Sequence, residues 1–373
     1  MIGCIGSTEK IFPARTTGNE IFYLDGVVKR IFCCLLLFGF ALGVRAQSRP
    51  VALFYMTDTP ASVRSFLAHS AKIGILVPTW YSVDANGLVS GEPNSLVLDV
   101  ARKQHLPVMP ILGNSGRNAL HLLMGNGDAQ NVMIALLLRE CEKYGYVGIQ
   151  IDFEDIAWTD RDALSAIVKK TADALHAKGL KLTIAVIPNA PGSVGRSDFS
   201  AWMYAHWRGV YDLKALAQST DLICLMTYDQ HTQWTPPGPV AGWNWTVENL
   251  DYALKEIPRE KLSLGIPLYG YHWLPGMTKG PDSKPHVAAE SITAPDAVLL
   301  AREYKTTPQW DSHDHDAWFY IDRDHAREWV FYTDARAFED RYKLTQDRRI
   351  QGFCAWVLGA EDPAIWKLLP DRK

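Results

Sequence analysis

No set of cysteines in this 373-residue chain has the number or spacing to staple a small fold or hold a metal. Cys4, Cys33 and Cys34 fall in or ahead of an N-terminal apolar run, which leaves Cys141, Cys224 and Cys354. These three are odd in number, far apart and set in apolar stretches, so buried free thiols are expected. An excess of positive charge is also missing. Lys and Arg total 38 against 41 Asp and Glu, a net charge of −3, and no dense basic run occurs. That balance argues against nucleic acid as a partner. No internal repeat or low-complexity tract is present. Nor does a glycine-rich phosphate turn follow the first apolar strand, where Thr57-Asp58-Thr59-Pro60 stands instead. A doubly wound dinucleotide fold therefore loses its signature.

The N-terminus carries an export pattern. Lys29-Arg30 precede an apolar run from Ile31 to Val44, and Val44-Arg45-Ala46 gives a small-residue cleavage pattern before Gln47-Ser48. A basic flank, a short apolar core and such a site describe a secretory signal, with cleavage expected near Ala46. The run falls short of the ~20 residues that a spanning helix needs. Residues 1–46 are assigned to this signal region, with a true start near Val27 or Val28. The mature part, 47–373, is expected to be secreted or periplasmic, without stable membrane insertion. A chain that is 47% hydrophobic can then bury one large core.

Short apolar runs alternate with longer amphipathic ones. Strands are expected at 51–56, 73–78, 107–113, 147–153, 181–187, 221–227, 262–268 and 350–357. Helices are expected at 160–178, 136–144, 247–257 and 335–344. The first of these helices shows the clearest stripe, Leu164, Ile167, Val168, Thr171 and Leu175, with Gly179 as a stop. Eight strands separated by helices imply a (β/α)8 barrel. The long gap between strands seven and eight, about 272–332, is read as a small α+β insertion. It includes a hairpin of 317–321 with 329–333 around Asp322-Arg323-Asp324.

The richest stretch is Gly148-Ile-Gln-Ile-Asp-Phe-Glu154. Strand alternation puts Ile149, Ile151 and Phe153 on one face and Gln150, Asp152 and Glu154 on the other. Asp152 and Glu154 lie roughly 6.6 Å apart along the pleat. Two carboxyls so close raise the pKa of one and keep a proton on it, which is what a general acid requires. Other strands also end in polar or aromatic residues. Strand six ends in Met226-Thr-Tyr-Asp229, with Met226 and Tyr228 on one face. Strand seven runs into Tyr269-Gly-Tyr271, and strand eight places Trp356 on the face of Cys354. In a barrel these ends converge on one mouth.

Taken together, these motifs resemble glycoside hydrolase family 18, the chitinase-like barrels, whose fourth strand carries D-G-x-D-x-D-x-E. Asp152 and Glu154 match its last two acids, whereas Val147 and Gln150 replace the first two. Met226–Asp229, Gly265–Gly270 and Trp356 match strands six, seven and eight. The wording of 226–231, 251–271 and 356–359 is similar to the bacterial branch of spore-cortex and cell-wall glucosaminidases. The resemblance implies a retaining, substrate-assisted hydrolysis of β-linked N-acetylglucosamine polymers without a cofactor or metal. Glu154 would be the acid, Asp152 and Tyr228 would hold the substrate's acetamido group, and Trp356 would floor the sugar. Asp229, Tyr269 and Tyr55 would contact hydroxyls. Gln150 would face the sugar side of the strand and donate a hydrogen bond to Asp152. The partner is then a polysaccharide or oligosaccharide, and the chain is expected to act as a monomer.

Blander readings exist for each residue. The acids could be a structural pair, Tyr228 and Trp356 could be barrel packing, and Asp229 could cap a turn. A silent, lectin-like barrel of the same family is the alternative function, with retention of Glu154 as the discriminator. His313-Asp-His-Asp316 has metal-ligand residue types but no partnering cluster, so a solvated loop is expected there.

Overall fold

The computed structural model describes residues 50–279, 285–323 and 325–372. The signal region and Asp324 of the expected hairpin lie outside them.

Eight parallel strands, each ahead of helical structure, form the barrel: Val51–Met56, Ile75–Pro78, Ile111–Asn114, Gly148–Asp152, Lys181–Val186, Leu222–Leu225, Leu262–Pro267 and Gly352–Trp356. Neighbours in the ring pair in parallel, from Val51↔Gly352 through Cys354↔Gly265 to Ile111↔Gln150. Strand three divides its pairing. Its approach contacts strand two, where Leu76 N donates to Pro107 O and Met109 N to Leu76 O, both at 2.9 Å. Further along it pairs with Tyr81–Val83 as Tyr81↔Leu112. Pro107 and Pro110 have no N–H to give, so the ladder on this side is broken and closure rests on the Leu76↔Val108 bridge.

Alternation along the strands makes two cores. Ile149, Ile151 and Phe153 pack outward against the helices. Leu53, Tyr55, Val77, Ile111, Cys224, Met226 and Cys354 fill the barrel interior. The three cysteines are buried and free. The helix Arg161–His176 buries all five residues of its stripe, and Gly179 adopts a left-handed φ of 71° just beyond it. A second helix, Gly127–Tyr144, begins nine residues before the expected 136. Asn126 Oδ1 caps it, accepting from Asp128 N and Ala129 N at 3.1 Å.

The insertion is a five-stranded antiparallel sheet with the helix Ala294–Glu303 on one face. Its first strand, Tyr269–Lys279, follows strand seven after the single residue Leu268. Its hairpin joins Asp316–Arg323 to Ala326–Tyr332. The His313–Asp316 run is the solvated loop expected only at its start, where His313 is exposed. His315 stacks on Trp243 at 4.5 Å and bonds Asp340 at 2.8 Å, and Asp316 is fully buried. The cause is the buried Arg341, which donates to His315 O and Ala337 O and draws the run inward.

Candidate active site

Strand four can lie close to strand five because residue 148 is glycine. A Cβ there would sit 2.0 Å from Lys181 O, and φ is 158°. Regular pairing stops at Asp152, and the next residues are fixed from neighbouring strand ends. Asn114, at the end of strand three, grips Glu154 through its backbone: Glu154 N donates to Asn114 Oδ1 at 3.0 Å, and Asn114 Nδ2 donates to Glu154 O at 3.2 Å. Tyr211 Oη donates to Phe153 O at 2.8 Å. Asp155 then turns the chain with a φ of 54°, and Arg117 Nε donates to its carbonyl at 3.1 Å. Asn114, Arg117 and Tyr211 were not singled out in the sequence. The Gly113-Asn114 ending of strand three was the one available signal.

The carboxyls meet without a cation. Burial pushes Asp152 up to about 6, and its Oδ1 has no hydrogen-bond partner among the described residues. Burial, followed by repulsion from Asp152 and Asp229, pushes Glu154 up to about 8. Glu154 therefore holds its proton at neutral pH while Asp152 has lost its own. Asp229, itself at a left-handed φ of 58°, accepts from Tyr269 Oη and from Tyr271 Oη (3.2 Å). Burial still outweighs those two bonds and raises its carboxyl. The Tyr228 hydroxyl is raised well above its usual value by burial and the surrounding acids, so it is a donor at any working pH.

Tyr228 meets Tyr269 edge-on at 6.5 Å, and Trp356 lies 5.4 Å from the Tyr55 ring. The structure thus gathers Asp152, Glu154, Tyr228, Asp229, Tyr269 and Trp356 at the mouth. Two residues expected at the sugar have no surface to offer it. Tyr55 is 1% exposed and Gln150 0%, both inside the barrel. Nor does Gln150 donate to Asp152. Its Nε2 donates to Thr183 Oγ1 at 3.1 Å and Cys224 Sγ at 3.2 Å. The amide turns across the barrel to these partners, because strand register sets Thr183 level with it and Cys224 lies two residues further along strand six.

The model of Glycosyl hydrolases family 18 matches residues 53–361. The chain belongs to this family. It is 25% identical to the uncharacterized glycosylase YvbX of Bacillus subtilis over 344 residues, covering 90% of this chain and 94% of YvbX. It is also 25% identical to the cortical fragment-lytic enzyme of Bacillus subtilis, over 78% of this chain and 66% of that protein. A chitinase structure from Chromobacterium violaceum superposes with a TM-score of 0.74 at 26% identity, covering 85% of this chain and 97% of its own. The spore cortex-lytic enzyme SleL of Bacillus megaterium shares the fold, with a TM-score of 0.74 at 23% identity over 86% and 73% of the two chains. As a family 18 member the chain is a glycosidase on a (β/α)8 barrel.

Proposed function

We propose that this glycosidase is secreted and hydrolyses β-linked N-acetylglucosamine polymers, chitin oligomers or the glycan of peptidoglycan, with retention of configuration. One observation carries the reading. Glu154 is a carboxylic acid held protonated to about pH 8 at the barrel mouth, with two other acids beside it and no cation acting on it. Such a group can donate a proton to a glycosidic oxygen at neutral pH. The nucleophile is the carbonyl oxygen of the substrate's own 2-acetamido group, which closes on the anomeric carbon as the leaving oxygen takes the Glu154 proton. Water then opens the oxazolinium ion, and Glu154 recovers its proton. This route needs no enzyme carboxylate as nucleophile, unlike the two-carboxylate scheme.

Asp152, ionised above about pH 6, accepts the acetamido N–H and offsets the ring's positive charge. The Tyr228 hydroxyl, permanently protonated, orients the acetamido oxygen. Trp356 floors the ring, and Asp229 with Tyr269 meets its hydroxyls. Export is supported by the Lys29–Ala46 pattern, and among the described residues no helix is long and apolar enough to cross a membrane. The names of the relatives, a cortical fragment-lytic enzyme and a chitinase, support a glycan built on N-acetylglucosamine.

The test compares wild type with Glu154→Gln on a fluorogenic N-acetylglucosamine oligomer. Mass spectrometry of digests of chitin oligomers and of purified peptidoglycan then separates the two polymers. A loss of about 10³-fold in kcat is expected for the variant. Equal turnover by both proteins would remove Glu154 as the acid, and turnover by neither would leave the cleft a binding site only.

A further inference from the structure

Among the described residues, three buried oxygens around Asp152 have no hydrogen-bond partner: Tyr55 Oη, Gln150 Oε1 and Asp152 Oδ1. Gln150 and Asp152 stand two residues apart on the inner face of strand four. Gln150 Nε2 reaches Cys224 Sγ at 3.2 Å, and the Tyr55 hydroxyl lies beside the same thiol. Asp152 is close enough to act electrostatically on both Cys224 and Tyr55. The three unpaired oxygens therefore meet at one place inside the barrel. Buried polar atoms left unpaired are costly and rare, so a cluster of them calls for a common partner.

The chemistry of the three atoms defines that partner. Thr183 Oγ1 gives its hydrogen to Met109 Sδ at 3.2 Å and so accepts from Gln150 Nε2. This fixes the amide with Oε1, and not its NH2 group, on the unpaired side. Asp152 Oδ1 in the ionised carboxylate is likewise an acceptor only, so neither oxygen can satisfy the other. Burial holds the Tyr55 hydroxyl protonated, which makes it the donor of the set. One donor and two acceptors complement a single water molecule, which accepts one hydrogen bond and donates two. Room exists at Gly113, the ladder partner of Asp152, where the nearest atom to an added Cβ is Tyr81 O at 3.8 Å.

We propose that a water molecule is bound inside the barrel under Asp152, accepting from Tyr55 Oη and donating to Gln150 Oε1 and Asp152 Oδ1. Its consequence for catalysis rests on the glycosidase reading given above. A hydrogen bond donated to the ionised carboxylate favours that form against the cost of burial. It also engages Oδ1 from within, which leaves Oδ2 to meet the acetamido N–H. The other titratable groups that face Asp152 are Glu154, Tyr211, Cys224 and Tyr228, and none is a cation. The water is then the inner donor that the Gln150 amide does not supply. Tyr55 and Gln150, which touch no sugar, become positioning residues for Asp152.

Two measurements test this. A crystal structure of the wild type at a resolution that shows ordered water is expected to place one within hydrogen-bond distance of all three oxygens. The pH dependence of kcat/KM on the fluorogenic oligomer is then compared between wild type and Tyr55→Phe. The variant removes only the hydroxyl. Its acid limb is expected to rise by about one pH unit, a roughly tenfold loss at the acid end relative to its own maximum, with the alkaline limb in place. A packing role for Tyr55 would lower kcat/KM at every pH without moving the limb. Gln150→Met, close in shape and lacking the oxygen, should move the limb in the same direction and serves if Tyr55→Phe does not fold. An unoccupied site in the crystal overturns the proposal, as does Tyr55 bonded directly to Asp152. An acid limb that stays put in active variants overturns it too. A wild type that cleaves no glycan removes the glycosidase reading alone, since the crystal structure still decides the water.

Discussion

In the insertion, the carboxylate of Glu328 is buried against His272 Nε2 at 2.7 Å and against the Arg323 guanidinium. At the barrel mouth, Asp152, Glu154 and Asp229 are buried against one another, and no cation contributes to the shift of any of them. Both regions take acids out of water, but only one supplies the charge partners that make burial tolerable. The mouth instead lessens the cost of burial by keeping a proton on Glu154, which is also what the chemistry uses. A third acid is raised without taking part in either arrangement. Asp316 is pushed up to about 8 by burial in spite of the nearby Arg341, with Asp334 and Asp314 also close, yet it is fully buried and meets no opening. A raised carboxyl marks a reactive site only where strand ends bring several groups to an opening.

The contrast is tested most strongly at Asp152. Asp152→Asn is expected to lower kcat by about 10²-fold, since the charge facing the developing cation disappears. It should also reshape the pH profile. In wild type the working state has Asp152 ionised and Glu154 protonated, so kcat/KM rises through about pH 6 and falls through about pH 8. The variant should keep the alkaline limb and lose the acid one. Profiles measured with a fluorogenic oligomer decide this, and an acid limb that survives would mean another group carries it. The opposite behaviour is expected of Glu328→Gln. It strands His272 and Arg323 beside a neutral amide and should cost about 2 kcal/mol in urea unfolding. Its kcat should stay within about twofold of wild type. Activity falling along with stability would show that the insertion's charge pairs support the site after all.

Most of the framework was legible because it is local. Period-2 alternation put Ile149, Ile151 and Phe153 on the helix side and Gln150 and Asp152 on the other. The stripe from Leu164 to Leu175 appeared as a buried helix face. Clustering at strand ends followed from barrel geometry once eight strands were counted. What escaped was set by partners distant in sequence. Gln150 reads as a neighbour of Asp152 along the chain, but across the barrel Thr183 and Cys224 present themselves to its amide. The grip of Asn114 on Glu154 spans 40 residues and leaves no periodic trace. Arg341 holds the His315–Asp316 end of an apparently polar run against the interior, and no feature of that run announces a buried guanidinium elsewhere. The early start of the Gly127–Tyr144 helix was a different kind of miss. Its cap, Asn126, is followed directly by Gly127, a residue that disfavours helices and so masks the start.

The smallest expected effect is the most specific to this contrast, because it predicts a gain of stability from a change that abolishes function. In the folded chain Glu154 titrates at about 8, and in the unfolded chain a glutamate titrates near 4.3. Between those values the native state binds the extra proton, so the stability contributed by the neutral acid is complete below about pH 4. It is lost progressively as pH rises through the folded value. Glu154→Gln replaces the acid by a neutral group of the same shape and removes that loss. The variant should match wild type in Tm near pH 4 and exceed it by about 2 °C or more near pH 9. Glu328→Gln should instead be less stable than wild type at neutral pH, where the Arg323 charge is left unopposed. A Glu154→Gln protein that gains nothing at alkaline pH would mean the acid is solvated or paired in solution. The proton on which the proposed hydrolysis depends would then be absent.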